Sequence, residues 1–226
     1  GIVGAAIAAD LAGGAAATGL KVGLVEAVRP RPLDDVLGAT KPDPRCYALA
    51  PSSMRHLKRI CPELDDARVA ARFHEYRHMH VWEATSRSAL AFHADEMPGG
   101  AGMLGFIGEN AVMQAALFER LDALSADPNA KLKLYLPRML AGLERLSGGP
   151  EVPYHDAPMV AKLVEPGEAG AAAETVTARL VVAADGANSN VRRSFGLGGW
   201  GFGYSQRALV CSLRADAAAD GAAMAT

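Results

Sequence analysis

Apolar positions along the chain switch between a helical and a strand-like period. The clearest helix is predicted after Asn110, where four apolar residues recur at the spacing of one helix face: Met113, Leu117, Leu121 and Leu124. Residues 132–136 alternate leucines with lysine or tyrosine, as a half-buried strand does. Two more short strands are predicted over residues 78–84 and 88–93. This mixture of periods predicts an α/β fold.

Proline, serine and glycine mark the boundaries between these elements. Residues 29–44 contain four prolines, so we expect a loop there and neither a helix nor an inner strand. Ser52 and Ser53 are expected to cap a helix with the apolar positions Met54, Leu57 and Ile60. The glycine-rich residues 148–150 and 165–173 predict loops.

The start of the chain has the pattern of a nucleotide-binding turn. Gly1 and Gly4 have the spacing of the second and third glycines of G-x-G-x-x-G, and a helix of small residues follows. The second glycine lets the backbone approach a pyrophosphate, and the third lets helix and strand pack closely. The helix that begins there directs its N–H groups at the phosphates.

Two more segments extend this pattern. An apolar strand over residues 21–26 ends in Glu26, which lies 22 residues beyond Gly4 and suits a carboxylate that binds an adenosine ribose. Residues 180–184 predict an apolar strand that leads into the turn Asp185-Gly186 and a basic helix start. Together the segments indicate a flavin-binding enzyme. The offset of seven residues leaves open whether Arg192 is a structural partner of Asp185.

Composition narrows the choice of partners. The net charge of −2 and the absence of a Lys/Arg cluster argue against nucleic-acid binding. No apolar run approaches the roughly 20 residues that span a bilayer. The three cysteines, Cys46, Cys61 and Cys211, form no C-x-x-C pair, which predicts reduced thiols in an intracellular compartment and no zinc or disulfide site.

Histidines and hydrolase motifs give no further site. His74, His78 and His80 lie close in sequence, but no third ligand has matching spacing, so we expect no metal site. His93 and the other histidines are isolated and are expected to be surface or structural residues. A serine hydrolase is not indicated, because no G-x-S-x-G turn occurs.

The chain resembles the FAD-dependent aromatic hydroxylases of the para-hydroxybenzoate-hydroxylase type, and more narrowly their ubiquinone-biosynthesis monooxygenase branch. The blocks that carry the resemblance are residues 1–26, 45–53, 79–84 with 104–110, and 183–193 with Trp200, Tyr204 and Gln206. The second and third are the specific ones. One departure is Ala183, where the family usually has glycine.

The resemblance implies FAD as cofactor and names its contacts. The residues implied to bind FAD are Gly1, Val3, Gly4, Glu26, Arg45, Gln114, Asp185 and Gly186. Arg45 matches a family position near the flavin and its phosphates, where a planar cation suits a pyrophosphate; the alternative is a surface arginine in a proline-rich loop. Gln114 stands where the wider family often has arginine. Glu109 and Asn110 are weaker candidates for lining the flavin edge, and the catalytic residues are unknown.

The implied fold is a Rossmann-like FAD-binding layer of the glutathione-reductase type with an inserted substrate-binding β-sheet. We expect the FAD-binding domain over residues 1–75, 107–140 and 175–196, and part of the substrate sheet over 76–106 and 197–226. The layer is expected to be incomplete at both ends, as in a fragment of a longer protein that is inactive alone, because the first strand and a second flavin motif are not present.

The implied activity is hydroxylation of the aromatic ring of a polyprenylated ubiquinone precursor with O2, through a C4a-hydroperoxyflavin. Electrons are expected from a reductase chain or NAD(P)H, and other ubiquinone-biosynthesis proteins are candidate partners. A long prenyl tail implies peripheral attachment to the mitochondrial inner membrane on the matrix side, or to the cytoplasmic face of a bacterial inner membrane. The alternatives are another flavin oxidoreductase of this fold, such as an epoxidase or prenyl reductase, and a non-catalytic flavin-binding subunit.

Overall fold

The computed structural model describes residues 1–14, 18–83, 85–97, 102–146, 157–167, 174–213 and 222–224. Its backbone contacts divide the chain into two units. Unit 1 comprises Gly1–Pro30 and Leu121–Gln206, and unit 2 comprises Arg31–Arg120 and Arg207–Thr226. Each unit contains helices and sheets, so the predicted mixed α/β character is confirmed.

The described residues of unit 1 include a parallel strand pair, an antiparallel sheet and two complete helices. Helix α1 (Ile2–Gly13) packs on strand β1 (Val22–Val25), which pairs in parallel with β7 (Leu132–Tyr135). Strands β8 (Met139–Arg145), β9 (Met159–Val164) and β10 (Glu174–Ala178) form an antiparallel sheet with β9 in the centre. A short helix, α6 (Asn190–Ser194), follows the Asp-Gly turn.

In unit 2, the residues that the structure describes form two small sheets and three short helices before the long helix begins. Strand β6 (Gly105–Glu109) is central to an antiparallel sheet, between β2 (Cys46–Leu49) and β3 (Phe73–Tyr76). Strands β4 (His78–Trp82) and β5 (Ala89–His93) form a hairpin, and β11 (Ala222–Met224) adds in parallel to β4. The helices are α2 (Leu33–Leu37), α3 (Pro51–Ile60) and α4 (Ala67–Ala70), and 3₁₀ turns cover Pro62–Asp65 and Ala94–Glu96.

The longest helix is α5 (Asn110–Ala126), which begins in unit 2 directly after β6. Its four predicted apolar positions are all buried, as are the three predicted in α3. In α1 all the buried side chains are alanines, so the helix backbone comes close to its neighbours. These alanines are Ala5, Ala8, Ala9 and Ala12. The sequence patterns therefore identified the core faces of α3 and α5.

Three local predictions were wrong. The proline-rich loop contains α2, which begins after Pro32 and has Asp34 and Asp35 in its first turn, where acids favour a helix. Ser52 and Ser53 lie inside α3 and do not cap it, because Ala50 is the N-cap and Pro51 occupies the first turn.

The third wrong prediction is the strand over residues 180–184. The structure assigns no strand there, and Leu180 and Val182 are exposed. A strand is defined by hydrogen bonds to a neighbouring strand. Residues 180–184 do not pair with β1, because β1 pairs only with β7 among the described residues. Apolar composition alone does not supply such a partner.

The two units are defined by backbone contacts alone. The predicted boundaries of the FAD-binding domain and of the substrate sheet stay a prediction. Of the two predicted loops, residues 148–150 lie outside the described residues, as do residues 168–173 of the second, in which residues 166 and 167 form a turn.

Candidate cofactor-binding site

The glycine turn at the start of α1 packs as the motif requires. A Cβ placed on Gly4 would lie 3.3 Å from the Cβ of Ala184 and 3.9 Å from Cδ1 of Leu24. The helix thus touches both β1 and the segment that precedes Asp185. A Cβ on Gly1 would meet nothing within 4 Å. Val3 is exposed beside it.

Glu26 lies at the carboxyl end of β1, where parallel strands present their ligand-binding edge. Its backbone is fixed to the end of β7: the Glu26 N–H donates to the Tyr135 carbonyl at 3.2 Å, and the Arg138 N–H donates to the Glu26 carbonyl at 3.0 Å. The terminal ammonium of Gly1 donates to Oε2 of Glu26. Hence the predicted pyrophosphate-binding glycine and the predicted ribose-binding acid are neighbours.

The Asp-Gly turn is held by its own aspartate. The carboxylate of Asp185 accepts hydrogen bonds from the backbone N–H groups of Asn190 at 2.6 Å and Val191 at 3.2 Å, at the start of α6. Although burial acts to raise the pKa of Asp185, bonds from Ser189 and these N–H groups lower it below its ordinary value. Gly186 has φ +78°, which favours glycine.

The open question about Arg192 is settled by its contacts. Its guanidinium donates to the Ala187 carbonyl at 2.8 Å, and its backbone N–H donates to the Ser189 hydroxyl at 3.0 Å. Arg192 is therefore a structural residue of the turn and no ion-pair partner of Asp185.

The start of α5 is bound by a side chain from the proline-rich segment. Oδ2 of Asp43 accepts the Ala111 N–H at 3.1 Å.

Arg45 and Gln114 belong to unit 2. Arg45 is exposed, and its guanidinium makes no ion pair among the residues that the structure describes. Its backbone is well fixed, because its carbonyl accepts the Asn110 N–H at 2.8 Å and its N–H donates to Asp43 at 3.0 Å. Gln114 is half-buried on α5, one turn beyond Asn110.

A buried ion pair that the sequence did not reveal fixes the same segment. Glu109 is 7% exposed and accepts two bonds from Arg72, at 2.6 Å to Oε1 and 2.8 Å to Oε2. Its Oε2 also accepts the Asp43 N–H at 2.7 Å. Glu109 was a weak candidate for lining the flavin edge, but its carboxylate is engaged here. The sequence offered one signal, an acid at the end of a strand, because a buried carboxylate in such a position needs a cation.

The histidines form a small cluster on the β4–β5 hairpin. Nδ1 of His78 lies 2.9 Å from Nδ1 of His93, and the His80 ring lies 5.8 Å from that of His93. The expectation that His93 is isolated was therefore wrong, because strand register places it opposite His78. Within the described part of the chain, no group of three or more His, Cys, Asp or Glu side chains has metal-binding geometry.

The remaining sequence predictions concern thiols and membrane spans. Cys46 and Cys211 are exposed free thiols, and Cys61 is buried. Burial, with the nearby charges of Glu109 and Asp43, raises the pKa of Cys46, and burial raises that of Cys61 much further. None of the helices in the described residues is long and apolar enough to cross a bilayer.

Comparisons with known proteins identify relatives of the chain. No family model matches it. It is 31% identical over 216 residues to 3-demethoxyubiquinol 3-hydroxylase of Escherichia coli, covering 96% of this chain and 47% of the relative. It is 29% identical over 143 residues to the mitochondrial ubiquinone biosynthesis monooxygenase COQ6 of Homo sapiens, covering 63% of this chain and 27% of that protein.

A third relative is the mitochondrial COQ6 of Danio rerio, which is 28% identical over 216 residues, covering 94% of this chain and 40% of that protein. The chain thus spans less than half the length of these curated relatives. The predicted resemblance is confirmed: the chain is a homologue of the ubiquinone-biosynthesis hydroxylases and monooxygenases.

Proposed function

We propose that the protein is an FAD-dependent monooxygenase that hydroxylates the aromatic ring of a polyprenylated ubiquinone precursor. The observation that carries the proposal is that the glycine turn of α1, Glu26 and the segment that ends in Ala184 lie together in unit 1. These are the groups that a dinucleotide needs, and the relatives' names supply the reaction class.

The residues present fit FAD. The first turn of α1 would bind a pyrophosphate through the backbone at Gly1, Val3 and Gly4. Glu26 would accept hydrogen bonds from the ribose hydroxyls, since it ends β1 at the ligand-binding edge. This arrangement supports a Rossmann-like layer in unit 1.

The other proposed contacts have different chemistry. Asp185 and Gly186 would contact the cofactor through a turn that is already fixed by Asn190 and Val191. Arg45 would bring a guanidinium with several donors to phosphate oxygens, and Gln114 would add an uncharged donor. When bound, FAD supplies the activation of O2 for transfer of one oxygen atom to an electron-rich ring carbon.

The proposed substrate sets the proposed location. A precursor with a long prenyl tail stays in the bilayer, so the enzyme must meet it at the membrane surface. We infer peripheral association with the mitochondrial inner membrane on the matrix side, or with the cytoplasmic face of a bacterial inner membrane. The names of the COQ6 relatives, which are given as mitochondrial, support the first location.

Two measurements on the full-length protein test this function. Gently purified protein should carry FAD, identified by its absorption bands and by chromatography of the released cofactor. Deletion of the gene should cause a prenylated, under-hydroxylated precursor to accumulate, as detected by mass spectrometry. Finding FMN or no flavin, or finding normal ubiquinone in the deletion strain, would overturn the proposal.

A matched pair of glycine variants makes the test specific to the turn. Gly4→Val should abolish FAD binding and fail to restore ubiquinone, because its side chain would collide with Ala184 and Leu24. Gly13→Val is the control: it makes the same substitution in the same helix, at a position where a Cβ meets nothing within 4 Å. It should retain both activities.

A further inference from the structure

The ion pair between Arg72 and Glu109 connects three separate segments of unit 2. Nε and Nη2 of Arg72 grip both oxygens of Glu109, and Nη1 donates to the Leu37 carbonyl at 3.3 Å. Glu109 in turn accepts the Asp43 N–H. The pair thus holds the proline-rich segment at two points, at the last residue of α2 and just before β2, against the end of β6.

From Asp43 the contacts continue to Arg45. The two carboxylate oxygens of Asp43 accept different N–H groups, one from Arg45 at 3.0 Å and one from Ala111 at 3.1 Å. The Arg45 carbonyl accepts the Asn110 N–H, and β2 then pairs with β6 in register from Cys46 opposite Glu109. The backbone at Arg45 is therefore fixed on both sides.

The two ends of this network, the Arg72–Glu109 pair and the Arg45 side chain, differ in burial. The Glu109 side chain is 9% exposed and that of Arg72 is 21% exposed, whereas the Arg45 side chain is on the surface. A bidentate arginine–carboxylate pair with little access to water has a defined geometry, unlike an exposed pair of flexible side chains. The buried pair can therefore fix the backbone position from which the exposed Arg45 side chain extends.

We propose that Arg72 is a positioning residue for cofactor binding: paired with Glu109, it holds residues 43–46 in the arrangement that presents Arg45 to the phosphates of FAD. This inference rests on the proposed function. Arg72 itself contacts Glu109 and the Leu37 carbonyl, and its effect on the cofactor passes through the backbone of Asp43 and Arg45.

The test is a double-mutant cycle on FAD affinity in the full-length protein. Arg72→Lys keeps the charge but loses the two-point grip, and Arg45→Gln removes the presented cation. Each should raise the FAD dissociation constant about tenfold, the scale of a charge-assisted hydrogen bond. If Arg72 acts through Arg45, the double variant should bind FAD about as well as Arg45→Gln alone, because the two effects are not independent.

Two further variants keep the result interpretable. Arg68→Lys is the matched control, because Arg68 also pairs with aspartates but is exposed, and its FAD affinity should equal that of the wild type. Glu109→Gln retains the shape of the acid and should weaken FAD binding in the same direction as Arg72→Lys. It serves as the second variant if Arg72→Lys does not fold.

Each outcome decides the inference. An additive loss of about a hundredfold in the double variant would show that Arg72 does not act through Arg45. A lower melting temperature of the apoprotein with unchanged FAD affinity would show a purely structural pair, and an unchanged affinity in Arg45→Gln would remove the premise. A wild-type protein without FAD would instead overturn the proposed function itself.

Discussion

Two glycines of β6 should be intolerant of even one added methyl group. A Cβ on Gly108 would lie 2.5 Å from Cδ1 of Phe73 and closer still to Cε1, and one on Gly105 would lie 2.5 Å from the Leu49 carbonyl oxygen. Phe73 and Tyr76 are the cross-strand partners of these glycines. Each aromatic ring thus covers the glycine opposite, which a side chain would prevent.

The geometry ranks the two substitutions. Carbon–carbon contacts lie at about 3.5–4.0 Å, so in Gly108→Ala the Phe73 ring must retreat by about 1 Å. Overpacking of this kind costs about 1–3 kcal/mol, and the reduced entropy of the unfolded chain returns about 0.4–1 kcal/mol. We expect a net loss of about 1–2 kcal/mol. Gly105→Ala should lose about 3 kcal/mol, because a backbone carbonyl of β2 cannot move without breaking the β2–β6 pairing.

Urea unfolding and amide hydrogen exchange on the full-length protein measure these losses, the second reporting on β2, β3 and β6 separately. Gly142→Ala is the control. Its Cβ would meet only Cδ of Lys162 at 3.8 Å, so its stability should change by less than about 0.5 kcal/mol. The steric argument fails if Gly108→Ala matches the wild type, or if Gly105→Ala is the milder variant. Replacing Phe73 by Leu in the Gly108→Ala background should recover part of the loss.

Three further predictions concern charge and thiols. Glu26→Gln should weaken FAD binding by about 1–2 kcal/mol in an FAD titration of the full-length protein, with its melting temperature unchanged. The pKa of Asp185 is lowered, so its hydrogen bonds to α6 stabilise the fold above the ordinary carboxyl pKa of about 3.9 and are lost as pH falls through the lowered value. Amide exchange of α6 should accelerate in that acidic range, and Asp185→Asn should remove this pH dependence. An alkylating reagent at alkaline pH should modify Cys46 in the native protein and Cys61 only after unfolding, as read by peptide mass spectrometry; modification of native Cys61 would contradict its burial.

The sequence predicted those parts of the fold whose signal is local. Helix α5 was predicted because its buried face repeats within one element, and α1 because small residues follow the glycine turn. Strand β6 has no such signal: two of its five residues are glycines, which disfavour strands until Phe73 and Tyr76 cover them from another segment. Its place in the sheet depends on residues about 30 positions away.

The residues of the candidate site also differ in whether a local sequence pattern predicts them. The proximity of the glycine turn to Glu26 was predictable, since a motif fixes their spacing and the strand between them is short. The pair of Arg72 and Glu109 was not, because 37 residues separate its members and neither has a distinctive neighbourhood in the sequence. Buried ion pairs between distant segments follow from the tertiary structure and leave no periodic pattern.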